Sequence, residues 1–306
     1  MNLLDLFSLQ GTLFAMMLLG AYLKKKGVID ENGKRCLSDL CIGVVIPANI
    51  FKSCLIPFNK EIFHSSALLL LSAILLQVLA LILNRFIYNR YAPQRRKVLQ
   101  YCTIVPMSGF LGNPIAEGIY DKIGVLYTSI FLIPMRIIMW SVGTSYFVAD
   151  ETMDKKKVLK NVLTHPCLVA IYLGLFCMFT QLPVPSVVRR TVTYVGNCNS
   201  ALTMFIVGTI LADVKLSTIV NKDTLSYSLL RLVLLPAAAF GVGYLLHLEG
   251  AALGVSVLMT GMPAGATAAI FASKYHSDAL FATQCVVMST LLSMITLPII
   301  SFIAGQ

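Results

Sequence analysis

The sequence predicts an all-α polytopic membrane protein: ten transmembrane helices as two inverted five-helix repeats, with broken crossover helices 4 and 9. Three observations predict it. Apolar residues make up 57% of the 306 and charged residues only 12%, with a mean hydropathy of +0.80. Lys and Arg collect in alternate connections between apolar stretches. A Gly-x-Pro interruption lies in the fourth stretch of each half.

The composition argues first. A water-soluble surface needs about a quarter of its residues charged. With half that charge, much of this surface has to face lipid, and each apolar run must cross about 30 Å of hydrocarbon. Ten such runs follow in order, at 5–23, 35–57, 62–84, 98–120, 123–147, 163–180, 187–212, 225–246, 252–273 and 279–303. Pro93, Pro166, Pro183 and Pro185 sit in or beside the connections, as helix breakers do. Met1 to Gln10 carries Asp5 and no basic residue, so span 1 is expected to be an uncleaved anchor and not a signal peptide.

Orientation follows from the basic residues. Those in the connections after spans 1, 3, 5, 7 and 9 number 17: Lys24, Lys25, Lys26, Lys34 and Arg35; Arg85, Arg90, Arg95, Arg96 and Lys97; Lys155, Lys156, Lys157 and Lys160; Lys215 and Lys222; and Lys274. The other side holds four, Lys60, Lys122, Arg189 and Arg190. Lys52, Arg136 and Arg231 fall inside apolar segments. Positive charge stays cytoplasmic, so the expectation is a multi-pass protein of the cell (cytoplasmic) membrane with both termini extracytoplasmic. The same distribution explains the net charge of +10 without a nucleic-acid partner.

The chain divides into 1–150 and 157–306, five spans each. Five is odd, so the second group enters the membrane from the opposite side. Carriers built from inverted repeats have this form, and paired Gly/Pro-interrupted helices point to their binding site. Span 4 reads Gly109-Phe110-Leu111-Gly112-Asn113-Pro114-Ile115, and span 9 reads Gly261-Met262-Pro263-Ala264-Gly265. Between Leu253 and Ala272, 11 of 20 residues are Gly, Ala, Ser or Thr, which suits close helix crossing. A helix broken in lipid leaves backbone groups that need protein, water or ligand as partners. Gly112, Asn113, Pro114, Gly261 and Pro263 are therefore the candidate substrate site.

Polar residues at span depth extend the list. Arg136, in span 5, is too deep to reach the interface easily and calls for a carboxylate, carbonyls or an anionic substrate. Glu117 has three readings: a helix N-terminal stabiliser, a partner of Arg136, or a proton carrier. Lys52 either snorkels outward or lies near the solute path. Asn49, Asn197 and Gln284 can hydrogen-bond a carboxylate or a neighbouring helix. These residues give the coupling candidates Glu117 and Lys52, with H+ or Na+ as the possible coupling ion and no other cofactor.

Other classes find no support. The eight cysteines are scattered without a C-x-x-C pair, and the four histidines fall at segment ends, so no metal site is expected. No H-E-x-x-H, paired aspartates or Ser/His set lies at span depth, which argues against an enzyme.

The Gly109 to Ile115 run resembles the auxin efflux carrier family, whose bacterial and archaeal members include malonate- and malate-type permeases. So do Arg136-Ile137-Ile138-Met139-Trp140, the stretch from Ser289 to Pro298, and Asn197 with Phe205-Ile206-Val207-Gly208. The resemblance spans nearly the whole chain. It implies a scaffold of spans 1, 2, 6 and 7, a mobile unit of spans 3–5 and 8–10, and a homodimer. It also implies that Asn113, Pro114 and Pro263 meet where substrate binds. The segment from Asp150 to Leu163 is short and basic, unlike the long central loop of plant members, which argues against auxin itself. The expected activity is secondary-active transport of a small organic anion, a carboxylate, by elevator-like alternating access. The alternatives are a Na+- or H+-coupled carrier of another solute, such as an amino acid or steroid-like acid, or a channel or receptor on the same fold.

Overall fold

Proline positions explain much of the helix architecture. In the computed structural model, which describes residues 3–57, 59–143, 145–147, 160, 163–212 and 219–304, helix dominates and no strand is present among the described residues. Lys155, Lys156, Lys157 and Lys215 of the orientation count, and most of the link between the two halves, lie outside the described residues.

Span 1 is α1 (Leu3–Lys25), and span 2 is α2 (Glu31–Leu40) and α3 (Ile46–Cys54) joined by a π turn at Cys41–Val45. Span 3 is α4 (Lys60–Ile87). Span 4 begins as α5 (Pro93–Ile104), opens, and resumes through a π turn at Ser108–Gly112 into α6 (Asn113–Ile138). The second half brings α7 (Pro166–Thr180), α8 (Ser186–Asn197) and α9 (Asn199–Ala212). It continues with α10 (Lys222–Leu229), a π turn at Leu230–Leu234 and α11 (Leu235–Leu245). It ends with α12 (Gly250–Thr260), α13 (Thr267–Lys274) and α14 (Ala279–Ala304). Three π turns each end two residues before a proline, Pro47, Pro114 or Pro236. Proline lacks the N–H that the previous turn needs and crowds its carbonyl, and widening the turn by one residue accommodates both.

Six helical stretches are long and apolar enough to cross a membrane: Leu4–Lys25, Glu31–Cys54, Lys60–Ile87, Ser186–Ala212, Lys222–Leu245 and Ala279–Ala304. Pro166–Thr180 and Gly250–Thr260 are shorter apolar helices. The protein is thus a helical multi-pass membrane protein. Within α6 the chain reverses at Asp121, whose φ is 51°. A Cβ at Gly124 would run into the Ala116 carbonyl, so the two arms of this bend touch at backbone distance.

Glycine notches also join α1 to α9. A Cβ at Gly20 would strike the Phe205 backbone, and one at Gly208 would strike the Met17 carbonyl. Without a hydrophobic drive between helices in lipid, such close approach supplies the packing energy. Buried residues of α4, α5, α6, α12 and α14 form the main core, and Cys41, Ile46, Ile50, Cys167, Leu168, Ile171 and Ile206 form a second one beside it.

The interruption in span 4 lies earlier than its Gly-x-Pro suggests. The residues that leave the helix are Val105 to Met107, with Val105 extended at φ −120° and ψ 90° and Met107 in a bend at φ −77° and ψ 30°. Gly112 is helical (φ −68°, ψ −42°), as is Asn113 (φ −57°, ψ −51°). Pro114 is the second residue of α6, directly after the π turn whose widened register accommodates its missing N–H, so it sits within continuous helix. The proline of span 4 that lies in the break is therefore Pro106, and not Pro114.

Candidate carrier site at the crossing of two interrupted helices

The two breaks pair with each other. Pro106 and Ala264 form an antiparallel bridge. Met107 N donates to Pro263 O at 2.8 Å, and Gly265 N donates to Val105 O at 2.9 Å. Each proline sits where its missing donor is not needed. Ala264 N donates to Ser289 Oγ at 3.1 Å, which brings α14 to the crossing.

The helix ends on either side also need partners. Arg231, only 3% exposed, donates Nε to Met262 O at 2.8 Å and Nη1 to Thr103 O at 2.7 Å. One guanidinium thereby caps carbonyls freed in both broken spans. Tyr227 Oη donates to Cys102 O at 2.9 Å, Gln77 Nε2 to Ile104 O at 3.3 Å, and Ser108 Oγ to Met259 O at 3.2 Å. Arg231 is a residue that sequence reasoning left without a role. The available signal was an arginine inside an apolar span, which has to be satisfied by something.

Beside the crossing lies a cavity of about 120 Å³. Its walls come from span 2 (Ile42, Ile46), the span 4 break (Val105 to Met107, Gly109, Phe110), α6 (Leu132, Met135, Arg136), α7 with its cap (His165, Cys167) and the start of α13 (Gly265 to Thr267). Arg136 is 7% exposed, and its Nη1 has no hydrogen-bond partner among the described residues. The N-terminal end of α13 carries partial positive charge toward the same space. His165 Nδ1 accepts from Cys167 N at 3.3 Å, and Thr267 Oγ1 accepts from Tyr101 Oη at 2.9 Å. A buried guanidinium with Nη1 unpartnered among the described residues, a helix N-terminus and apolar walls form an environment that suits an anion.

A second polar cluster lies toward the other end of span 2. Lys52 Nζ stands 2.8 Å from Glu117 Oε1 and donates to Asn197 Oδ1 at 3.1 Å, while Asn49 Nδ2 donates to Glu117 Oε2 at 3.0 Å. Lys52 is 8% exposed, so it is held inward by this pairing and does not snorkel. Glu117 is the partner of Lys52, not of Arg136. A Cβ at Gly196 would lie 3.1 Å from Asn49 Cα, so the glycine lets span 7 approach span 2 closely. Lys52 and Glu117 line a wide cavity of about 860 Å³ with Tyr120, Asp121 and Lys122.

The remaining sequence candidates serve packing or stand apart. Asn113 is fully buried; its Nδ2 donates to Gly109 O at 3.3 Å, and its Oδ1 has no partner among the described residues. A Cβ at Gly112 would lie 2.7 Å from Met259 Sδ, and one at Gly261 would lie 3.0 Å from Pro236 Cγ, so both glycines admit a neighbouring side chain. Gln284 Oε1 accepts from Asn221 Nδ2 at 3.5 Å, at the start of α10, and joins neither polar cluster. Among the described residues no group of His, Cys, Asp and Glu is arranged to hold a metal ion.

Comparison with known proteins decides the class. Residues 11–301 match the membrane transport protein family. The chain belongs to that family. It is the auxin efflux carrier-like family that the motifs of spans 4, 5, 7 and 10 resemble, and its members are transporters, not enzymes. Among relatives, an uncharacterized transporter of Methanothermobacter thermautotrophicus is 27% identical, aligned over 95% of this chain and 96% of its own length. The uncharacterized transporter YfdV of Escherichia coli is 23% identical over 94% of each chain. An uncharacterized transporter of Methanocaldococcus jannaschii is 20% identical over 92% of this chain and 93% of its own. As a membrane transport protein, the chain can be read for what its cavities would carry.

Proposed function

We propose that this protein is a secondary-active carrier of a small organic anion, a carboxylate, bound at the crossing and exposed to alternate sides of the cell membrane. The observation that carries the reading is Arg136: a buried guanidinium with an unpaired Nη1, in a cavity that also meets the N-terminus of α13. Such a cation is strongly unfavourable in an apolar bundle without an anionic partner. A transported carboxylate supplies that partner transiently, and the apolar walls leave little else to hold it.

In this reading the ten spans form two inverted repeats, 1–150 and 157–306, with spans 4 and 9 crossing at Pro106 and Pro263. Support comes from the matched order of elements: α5 starts at Pro93 and α12 at Gly250, the same 157 positions apart as the two prolines. Spans 1, 2, 6 and 7 serve as scaffold, and spans 3–5 and 8–10 move against it as an elevator-like unit. The α1–α9 glycine contact suits a rigid scaffold, and the Arg231 bonds suit a crossing that moves as one piece. The charge pattern supports both termini outside, and the family likeness favours a homodimer.

Binding tests the reading. Purified protein is screened by thermal shift against mono- and dicarboxylates, and the screen is repeated with Arg136→Gln. A saturable shift with at least one carboxylate, weakened at least tenfold in the variant, is expected. No shift with any carboxylate, or an equal shift in the variant, overturns the anion site.

A further inference from the structure

The cluster around Lys52 is built like a cation site that already holds a cation. Two oxygens hold the ammonium: Glu117 Oε1 and Asn197 Oδ1 lie 2.8 and 3.1 Å from it. Asn49 joins the cluster through Nδ2, which is bonded to Glu117 Oε2, and the Oδ1 of the same amide is buried with no partner among the described residues, so it is an oxygen still free to take a ligand. Carboxylate and amide oxygens are hard ligands of the kind alkali and alkaline-earth ions take. Asn197 is the last residue of α8, and the helical stretch runs on through Cys198 into α9, so the amide is presented from a rigid element. The 860 Å³ cavity that Lys52 and Glu117 line opens onto the cluster.

The charged groups of that cavity are Lys52, Glu117, Asp121 and Lys122. Only Lys52 is paired with Glu117 among the described residues. Its ammonium is a compact point charge with three donors, close in role to a small monovalent cation. The ammonium, on span 2, is bonded to span 4 (Glu117) and span 7 (Asn197), and Asn49 of span 2 bonds the same carboxylate, so one charge ties three spans together.

We propose that the Lys52 ammonium is a tethered substitute for a coupling cation: it fills a site formed by Glu117, Asn197 and Asn49, the protein works without Na+, and removing the ammonium uncovers a Na+ site. A cation on a side-chain tether stays with span 2 and cannot cross the membrane, so this site adds no ion to the transport stoichiometry. As a statement about coupling, the proposal rests on the carrier reading above. The site itself is tested without a transported solute, so failure to find transport leaves this test standing.

The experiment is thermal unfolding of the purified protein in NaCl and in choline chloride of equal ionic strength. The wild type is expected to unfold at the same temperature in both. Lys52→Ala is expected to unfold several degrees lower in choline chloride, to recover saturably with NaCl, and to recover with methylammonium chloride, which restores the missing group. Lys52→Met combined with Glu117→Gln, which removes both charges, is expected to lose the response to Na+. A saturable Na+ effect on the wild type, or a Lys52→Ala protein indifferent to both small cations, overturns the proposal. Should Lys52→Ala be too unstable to purify in choline chloride, yield becomes the readout. Recovery of monodisperse protein only with Na+ or methylammonium supports the site, and equal failure in every salt overturns it.

Discussion

The ammonium of Lys52 lies 2.8 Å from Oε1 of Glu117, and the two side chains come from α3 and from the arm of α6 that precedes the Asp121 bend. Neither residue is more than about a quarter exposed, so the pair is screened less than a surface ion pair. Removing one partner leaves the other charge poorly compensated. Glu117→Gln is therefore expected to destabilise the protein by about 1–3 kcal/mol, below the fully buried range because Glu117 meets the wide cavity. A double-mutant cycle with Lys52→Met, read by thermal or denaturant unfolding, is expected to show a coupling of at least about 0.5 kcal/mol.

Arg231 holds two broken spans through two carbonyls. Arg231→Gln keeps a donor but cannot reach Met262 O and Thr103 O together with the geometry of a guanidinium fork. Expected are a loss of stability of about 3 kcal/mol or more and reduced yield of monodisperse protein, with Arg231→Lys rescuing little. Stability within about 0.5 kcal/mol of the wild type in Arg231→Lys would show that a point charge suffices there.

Both residues illustrate what was legible in the sequence. The six helices long and apolar enough to cross a membrane all fall on apolar runs that hydropathy located, because lipid imposes length and composition on each segment independently of its neighbours. Spans 4 and 9 were identified as the interrupted pair because proline and glycine signal interruption wherever they occur. The position of the break in span 4 was not legible. Pro106 and Pro114 carry the same chemical message, and only the fold shows that Pro114 is absorbed by a π turn within continuous helix while Pro106 faces Ala264. Partner choice was hidden for the same reason. Glu117, Asn49, Lys52 and Asn197 all stood out as polar residues in lipid, but residues 145 positions apart along the chain meet only through the fold. Gln284 stood out equally and pairs elsewhere.

The α1–α9 contact offers a packing test. Gly208→Ala puts a methyl into the Met17 carbonyl, and backbone can yield only by separating the helices. A destabilisation of about 1–3 kcal/mol is expected from such overpacking. Gly11→Ala, with open space at its Cβ, is the control and is expected to change stability by less than about 1 kcal/mol. Equal unfolding temperatures for the two variants would contradict the contact.

Asn113 and Arg136 separate two versions of the site. Asn113 lies a full turn beyond the paired break, bonded to Gly109 O, whereas Arg136 borders the cavity with an unsatisfied Nη1. Arg136→Gln is expected to weaken carboxylate binding by tenfold or more, about 1.4 kcal/mol. Asn113→Ala is expected to weaken it less. Thermal-shift titration of both variants with one carboxylate reads the order directly, and a larger loss in Asn113→Ala would move the site along span 4.

The central claim is carriage of a small carboxylate through the crossing. Its most direct measurement is uptake of radiolabelled mono- and dicarboxylates into proteoliposomes containing the purified protein, compared with Arg136→Gln and with protein-free vesicles. Saturable uptake of at least one carboxylate, lost in Arg136→Gln while that variant stays folded and monodisperse, is the result this account predicts. Uptake that survives Arg136→Gln unchanged, or no uptake of any carboxylate by folded wild-type protein, would contradict it.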